Sequence, residues 1–401
     1  MSAFDFACRT RLVQGVGTVE RLGELTAELV RGQPQRALVV TDPGVVAAGH
    51  VERAEALLTA AGLACARFDG VRENPTTEDV EACVAAAREA ESSVLVGFGG
   101  GSAIDVAKGA NFLLTNGGSM EDYRGRNKAA RPLLPLVAVP TTAGTGTETQ
   151  SFALIADAET HQKMACGDVQ AAPRVALLDP VLTTTLPPYV AACTGLDALG
   201  HAVESAVTRA RTPISDLFSR EAFRLASGAL PRVLAAPNDL EARGAMLLAA
   251  AYAGLAIENS MLGAAHSMAN PLTAHFGVVH GQAVGMALPH VVRFNGADAG
   301  AAERYAELLL AAGVDPAGAA PGEALARHLE GLLDAAGLPH SFAACGVPAD
   351  AATELAREAS EQWTARFNPR EVGEAELRAL YEGACADVLP APDLSLGGAA
   401  D

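Results

Sequence analysis

The feature that most constrains this chain is a run of glycines placed directly between a strand and a helix. Residues 93–97 (SVLVG) predict a buried strand, and residues 102–115 have the spacing of a helix. Glycines let the backbone approach a phosphate, and the helix start offers free N–H groups with partial positive charge. We predict that Gly99, Gly100, Gly101 and Ser102 form a pyrophosphate cradle, with Ser102 capping the helix and Asp105 among the cofactor contacts. The loop matches neither GxGxxG nor the Walker pattern, so a tight turn without a ligand remains the alternative.

Strands and helices alternate around this loop over about the first 180 residues, which is typical of βαβ units and a mainly parallel sheet. Apolar runs at 36–42, 65–71 and 133–139 predict further strands, and 51–61 and 77–90 predict helices. From about Leu186 onward, Ala- and Leu-rich helical segments dominate. We therefore predict a nucleotide-type α/β domain at 1–185, a helical domain at 186–389 and a flexible tail at 390–401.

Charge and cysteine content exclude several classes of protein. The formal net charge of −18 argues against nucleic acid or an anionic membrane surface as partner. We see no apolar run that reaches the roughly 20 residues of a membrane span, and the first residues (MSAFDFACRTRLVQ) lack a secretion signal. Seven cysteines without CxxC spacing predict reduced thiols. We therefore expect a cytoplasmic protein.

Two more polar positions follow predicted strands and suit a nucleotide. Asp42 ends the strand at 36–42, where a carboxylate can accept hydrogen bonds from a ribose diol and repel a 2′-phosphate, which favours NAD over NADP. A helix-capping or turn aspartate is the alternative and the more common case. The loop at 140–148 (PTTAGTGTE) follows another strand, and its hydroxyls and glycines suit a sugar, a phosphate or a nicotinamide amide.

A carboxylate and three histidines form a candidate metal site. Asp197 and His201 are four residues apart, which on a helix places both side chains on one face. His266 and His280 bracket a segment broken by Pro and Gly, in which two short helices could present both imidazoles to one point. This ligand set suits Fe²⁺ or Zn²⁺ with positions open for a substrate. Taken singly, each histidine is more often an ordinary core or surface residue.

Several segments together resemble the group III, iron-containing alcohol dehydrogenases: GGGSAIDVAK, PTTAGTGTE, LLDPVLTTTLPP, TGLDALGHAVE, HSMANPLTAHFGVVHG and LPHVVRFN. They follow the order and spacing of the family from about Leu12 to the stretch at 368–381, nearly the whole chain. The resemblance implies a Rossmann-like N-terminal domain, an all-helical C-terminal domain (a dehydroquinate synthase-like architecture) and a cleft between them. Carried over by position, the metal ligands are Asp197, His201, His266 and His280, and the cofactor contacts are Asp42, Asn74, Gly99 to Ser102, Thr141, Thr142, Thr145 and, more loosely, Lys163.

The chain departs from the family pattern at one position. The common pattern is HxMAHPL, whereas this chain has HSMANPL, with Asn270 in place of the second histidine. In the family that histidine lies near the nicotinamide and is often assigned to proton transfer. Because Asn cannot titrate, the proton must leave through a cofactor ribose hydroxyl, a water chain or His275. His275 also has an ordinary interpretation as a helix-surface residue, which we favour.

The resemblance implies an NAD- and metal-dependent alcohol dehydrogenase that acts on a small alcohol or aldehyde and forms at least a homodimer. Dehydroquinate synthase-like lyases are a rival, but they need several basic residues in the cleft, whereas the ligand segments here are flanked by Ala, Leu, Met and Val. Maleylacetate reductase-like enzymes do not use the four-ligand site. A non-catalytic NAD-binding protein is disfavoured, because a buried Asp among imidazoles is costly without an ion.

Overall fold

A six-stranded parallel sheet forms the centre of the N-terminal half of the chain. The computed structural model describes residues 4–160 and 162–386. Its strands are β1 (Arg11–Gln14), β2 (Arg36–Val40), β3 (Ala64–Phe68), β4 (Val94–Gly99), β5 (Gly125–Arg126), β6 (Leu136–Pro140), β7 (Phe152–Ala156), β8 (Lys163–Gly167) and β9 (Val175–Leu178). The large sheet has the order β1-β9-β6-β4-β2-β3, and all of its pairings are parallel. The predicted parallel sheet is confirmed.

Helices cover both faces of this sheet. They are α1 (Leu22–Leu29), α2 (Pro43–Ala47), α3 (His50–Ala60), α4 (Thr77–Glu89) and α5 (Gly101–Asn116). Val39 and Val96 pack with α1 and α3 on one face, and Leu38 and Leu95 pack with α4 and α5 on the other. Burial on both faces explains the continuous apolar strands, since each buried Val or Leu contributes about 1.5–3 kcal/mol.

The predicted strands at 36–42, 65–71, 93–97 and 133–139 correspond to β2, β3, β4 and β6, with ends displaced by up to three residues. A second sheet, in the order β5-β8-β7, is absent from the sequence analysis. Its strands β7 and β8 pair antiparallel. They are joined by a turn in which Asp157 Oδ1 accepts hydrogen bonds from the backbone N–H groups of Glu159 and Thr160. This hairpin forms one wall of the cleft described below.

Only helices follow β9 in the part of the chain that is described, up to residue 386. They are α6 (Pro188–Val207), α7 (Pro213–Ala235), α8 (Leu240–Glu258), α9 (Ala264–Phe276), α10 (His280–Asn295), α11 (Ala299–Ala312), α12 (Pro321–Ala336), α13 (Ala352–Glu361) and α14 (Glu374–Ala386), with short 3₁₀ turns between some of them. One large apolar core joins them. The predicted boundary after residue 185 falls between β9 and α6. The predicted tail at 390–401 lies outside the described residues.

Among the described residues, one helix is long and apolar enough to cross a membrane by length and composition. This is α8, and 72% of its apolar window is buried inside the fold. Packing in the helical core therefore accounts for its apolar composition. All seven cysteines are free thiols in the structure.

Candidate functional site

Four side chains from three helices meet at the inner end of the cleft. Asp197 and His201 lie one turn apart on the same face of α6, His266 lies in α9, and His280 is the first residue of α10. The Oδ1 atom of Asp197 is 3.4 Å from Nε2 of His201 and also 3.4 Å from Nε2 of His266. It lies 3.8 Å from Nε2 of His280. The structure thus brings together all four residues proposed as metal ligands.

Two glycines let the helices that carry these side chains come close together. A Cβ atom on Gly281 would lie 2.0 Å from the carbonyl oxygen of Cys193 in α6. A Cβ atom on Gly200 would lie 2.4 Å from Cγ1 of Val284 in α10. Any larger residue at these positions would push α10 away from α6. The glycine beside His280 therefore sets how near that imidazole comes to α6.

Buried polar atoms in this cluster lack hydrogen-bond partners among the described residues. They include Oδ1 of Asp197 and Nε2 of His266, in residues that are only 5% and 3% exposed. A buried carboxylate or imidazole without a partner is costly, and such groups are normally satisfied. One carboxylate and three imidazoles form a donor set that suits a divalent first-row ion, Fe²⁺ or Zn²⁺. The residues present therefore fit a metal ion.

Burial and mutual contact also set the protonation of the cluster. Burial lowers the pKa of His201 to about 4 and that of His280 to about 3, although Asp197 acts in the opposite direction on both. Burial disfavours the ionised form of Asp197, but its histidine neighbours hold the pKa of this carboxyl well below the usual range. His201, His280 and Asp197 are therefore in the forms that bind a metal, a neutral imidazole or an ionised carboxylate, whereas His266 would release a proton on binding one.

Glu204 supports the cluster from behind, one turn further along α6. Its carboxylate accepts a hydrogen bond from Nδ1 of His266 at 2.6 Å and others from the backbone N–H groups of Gly263 and Ala265. Burial alone would lower the pKa of His266, but Glu204 and then Asp197 raise it to about 9. This contact turns Nε2 of His266 towards Asp197, which is the usual support for a metal-binding histidine. This role of Glu204 is not among the predictions from the sequence, although its i+3 spacing from His201 was a usable signal.

The loop at 99–102 (the glycine loop) and the loop at 140–148 (the threonine loop) start side by side at the carboxyl edge of the sheet. Gly99 in β4 pairs with Pro140 in β6, and the N–H of Thr141 donates to the carbonyl of Gly99. A Cβ atom on Gly101 would lie 2.6 Å from Cγ2 of Thr145, so the two loops pack in direct contact. The prediction that Ser102 caps the helix is wrong. α5 begins at Gly101, and Gly100 occupies the capping position without a side-chain hydrogen bond.

These loops line a cavity of about 750 Å³, the inner chamber, which reaches Asp197, His201, His266 and His280. Every predicted cofactor contact except Gly99 lines the inner chamber: Asp42, Asn74, Gly100, Gly101, Ser102, Asp105, Thr141, Thr142, Thr145 and Lys163. The cradle proposed for a pyrophosphate and the proposed metal ligands thus share one cavity. This arrangement suits a dinucleotide whose reactive end points at the metal site.

Asp42 lies at the start of the loop after β2, and Asn74 lies in the loop between β3 and α4. Oδ1 of Asp42 accepts hydrogen bonds from the N–H groups of Gly44 and Val45 and so caps α2. Asp42 therefore caps a helix, as the alternative interpretation of this residue held. Its carboxylate also faces the inner chamber, with Oδ2 beside Gly99. Asn74 has a φ of +52° and lines the same chamber.

Asp105 holds the threonine loop in place. It is buried and accepts hydrogen bonds from Oγ1 of Thr147 and from the N–H of Leu154. Beside it, Nζ of Lys108 donates to the carbonyls of Thr147 and Phe152. Burial lowers the pKa of Lys108 to about 8, although Asp105 partly offsets this. These contacts give Asp105 a positioning role for the loop that lines the chamber.

Asn270 and Lys163 lie where the inner chamber opens into a second cavity of about 1130 Å³, the outer chamber. Asn270 lies one turn after His266 in α9, and its Nδ2 donates to Oε1 of Gln362 at 3.1 Å. Lys163 begins β8 and donates no side-chain hydrogen bond within the described residues. Desolvation by the cleft walls lowers the pKa of Lys163, although the negative charges of Asp105 and Asp197 act to raise it.

His275 is not part of the cluster. It lies near the end of α9, lines the outer chamber and is bonded to Oε2 of Glu358 at 2.8 Å. Its side chain is 46% exposed. The structure therefore supports its interpretation as a helix-surface residue and places it away from the proposed metal ligands.

Comparisons with known proteins give consistent matches over both halves of the chain. The family model described as iron-containing alcohol dehydrogenase matches residues 9–180, and that of the C-terminal part of the same family matches residues 191–385. An NAD-dependent methanol dehydrogenase from Bacillus methanolicus is 34% identical over 89% of this chain and 93% of its own length. A lactaldehyde reductase from Escherichia coli strain K12 is 34% identical over 90% and 95%.

Solved structures of similar proteins share the fold. A 1,3-propanediol oxidoreductase superposes with a TM-score of 0.91 and 32% identity over 96% of this chain and all of the other. A sulfoacetaldehyde reductase from Bifidobacterium kashiwanohense, solved in complex with NAD⁺, superposes with a TM-score of 0.85 and 27% identity over 97% and 100% of the two chains.

Proposed function

The chain belongs to the iron-containing alcohol dehydrogenase family, and on that premise we propose that it transfers hydride between NAD and a small alcohol or aldehyde. The observation behind this proposal is that the glycine loop and the cluster around Asp197 line the same cavity, the inner chamber. A nucleotide held at that loop and a substrate held at that cluster would meet inside the cleft.

Asp197, His201, His266 and His280 would hold a divalent ion, with Fe²⁺ and Zn²⁺ both suited to the donor set. When bound, such an ion supplies Lewis acidity that favours the alkoxide form of an alcohol or polarises a carbonyl. The chain itself keeps the ligand atoms in register through the close packing of α6 and α10 and through the contact between Glu204 and His266.

The N-terminal loops would bind NAD, which supplies the hydride acceptor. The start of α5 and the glycines before it leave backbone N–H groups for the pyrophosphate. Asp42 would accept hydrogen bonds from the ribose diol and repel a 2′-phosphate, which favours NAD over NADP. Thr141, Thr142 and Thr145 offer hydroxyls further along the inner chamber.

Proton transfer must use a route other than position 270. Asn270 has no titrating group, and its amide is bonded to Gln362. His275 is tied to Glu358 on the outer chamber. Neither side chain would therefore carry the proton, and a ribose hydroxyl of bound NAD or water in the cleft would have to do so.

The resemblance to the family also supports a homodimer. The unpaired state of all seven cysteines supports a reducing compartment, the cytoplasm. Light scattering of the purified chain tests the dimer, since a mass of one chain (40.9 kDa) would contradict it.

The test of the reaction follows NADH absorbance with the purified chain, NAD and a panel of two- to four-carbon alcohols and diols. The protein is assayed without metal and after addition of Zn²⁺, or of Fe²⁺ under anaerobic conditions. Metal-dependent formation of NADH supports the proposal. The proposal is contradicted if NAD and metal both bind but no activity is found with the panel, with the matching aldehydes and NADH, or with an acidic aldehyde such as 4-oxobutanoate.

A further inference from the structure

The outer chamber differs in charge from the rest of the molecule. Five basic and two acidic side chains line it, although the chain as a whole carries a formal charge of −18. The basic side chains are Arg124, Arg126, Lys163, Arg357 and Arg366. The inner chamber has the opposite balance, with Asp42, Glu73, Asp105 and Asp197 against Arg72 and Lys163. Positive charge is therefore concentrated in the outer chamber, whose basic side chains come from the region of β5, from β8, from α13 and from the segment after α13.

Both acidic side chains of the outer chamber already have partners. Glu358 contacts His275 at 2.8 Å and Arg357 at 3.5 Å, and Glu361 pairs with Arg357 at 3.0 Å. These ion pairs neutralise the positive charge of Arg357. Within the described residues, the other four basic side chains of the chamber form no ion pair with a carboxylate. Lys163 is attracted by Asp105 and Asp197, but only from a distance.

The free arginines lie against aromatic rings. Arg126 lies with its Cζ atom 4.7 Å from the ring centre of Phe152, and Arg366 lies 4.9 Å from that of Phe367. Neither guanidinium donates a hydrogen bond within the described residues. Stacking on a ring holds a guanidinium in place while its N–H groups stay available for an oxyanion, which arginine binds through two parallel hydrogen bonds.

The outer chamber is continuous with the metal-ligand cluster. His280, Asn270 and Lys163 line both chambers. Trp363 also lines both, and its ring lies 6.2 Å from that of Phe152. A substrate whose oxygen reaches the cluster beside His280 would therefore extend past Lys163 into the outer chamber.

We propose that the outer chamber binds an oxyanion at the far end of the substrate, so that the preferred substrate is an aldehyde or alcohol that carries a carboxylate or a similar acidic group. This inference rests on the proposed dehydrogenase function and narrows its substrate class. It narrows the expectation of a small alcohol or aldehyde, because the apolar sequence neighbours of the metal ligands give no sign of these arginines. The arginines come from β5 and from the segment after α13, and only the fold brings them to the cleft.

The test compares two aldehydes of equal chain length, 4-oxobutanoate and butanal, with metal-loaded protein and NADH. Because a hydrogen bond to a charged group is stronger than a neutral one, we expect kcat/KM to be about tenfold or more higher for 4-oxobutanoate. In the variants Arg126→Gln and Arg366→Gln this ratio should fall towards one, mainly through KM for the acid. Because the ratio of kcat/KM compares two substrates in the same preparation, a partly unfolded fraction of the variant lowers both values equally and leaves the ratio unchanged.

Arg88→Gln is the matched control, because Arg88 is an exposed arginine of α4 that lines neither chamber. It should keep the ratio of the unchanged protein. Equal turnover of the two aldehydes overturns the inference but leaves the dehydrogenase function standing. Inactivity on both overturns the inference, and it overturns the dehydrogenase function as well if the alcohol panel is also inactive. If Arg126→Gln and Arg366→Gln raise KM for NADH and leave the ratio unchanged, the arginines serve the cofactor and the inference is wrong.

Discussion

The carboxylate of Glu204 lies 2.6 Å from Nδ1 of His266, and both side chains are buried. The contact fixes which nitrogen of this imidazole faces Asp197, so Glu204 acts on the metal site without being one of its proposed ligands. Because it also binds two backbone N–H groups at the start of α9, it connects the position of that helix to the geometry of the site.

The change Glu204→Gln should weaken metal binding by roughly 10- to 100-fold, the usual cost of losing such a supporting carboxylate. A competition titration with a coloured chelator measures the affinity. Glu358→Gln is the control, because it removes the carboxylate beside His275, a histidine outside the cluster. Equal metal affinity in both variants would show that Glu204 does not support the site.

Asp42→Asn should raise activity with NADP relative to NAD. Asparagine retains an oxygen that can cap α2, so the change removes the charge while preserving the cap. Loss of repulsion towards a 2′-phosphate should shift the ratio of kcat/KM for the two cofactors by about tenfold, since like-charge contacts cost at least 1 to 2 kcal/mol. Asp157→Asn, at a turn outside both chambers, should leave the ratio unchanged. An unaltered ratio in Asp42→Asn would leave the carboxylate with its capping role alone.

Gly101→Ala should weaken NAD binding while leaving metal binding intact. The new Cβ atom would lie 2.6 Å from Cγ2 of Thr145 and force the glycine and threonine loops apart. Calorimetric titration with NAD measures the effect. Gly228→Ala is the matched control, because that position in α7 has open space around it. Native NAD affinity in Gly101→Ala would mean that the spacing of these loops does not control cofactor binding.

Glu148→Gln should stabilise the protein above about pH 7. Burial raises the pKa of Glu148 from 4.5 to about 7, so folding favours the protonated form. The unchanged protein therefore loses stability as the pH rises from about 4.5 to about 7, by roughly 3 kcal/mol. Gln cannot ionise and should lack this loss. Urea unfolding midpoints at about pH 5 and about pH 7.5 measure it, and identical pH trends in both proteins would contradict the role of Glu148.

The sequence predicted those parts of the site that depend on local spacing. Asp197 and His201 share a face of α6 because they are four residues apart, and the strand–glycine–helix order placed the loop at the sheet edge. The cap at Ser102 was wrong because the helix begins one residue earlier, at Gly101.

Features that depend on contacts between distant segments were not predictable in this way. The hairpin of β7 and β8 has a polar turn and short strands, which give little periodic signal. The outer chamber combines Arg126 with Arg366, which are far apart in the chain. The bond between His275 and Glu358 likewise spans two helices, and it explains why this histidine is not available to the cluster.

A metal ion held by Asp197 and its three histidines should enable hydride transfer to NAD in the inner chamber. The most direct measurement strips the protein with a chelator and adds Fe²⁺ back under anaerobic conditions, while bound metal and NADH formation are recorded on the best alcohol of the panel. We expect activity to rise in proportion to bound metal up to one ion per chain, and His266→Ala to stay inactive with NAD affinity retained. Full activity in protein shown to hold no metal would contradict the account.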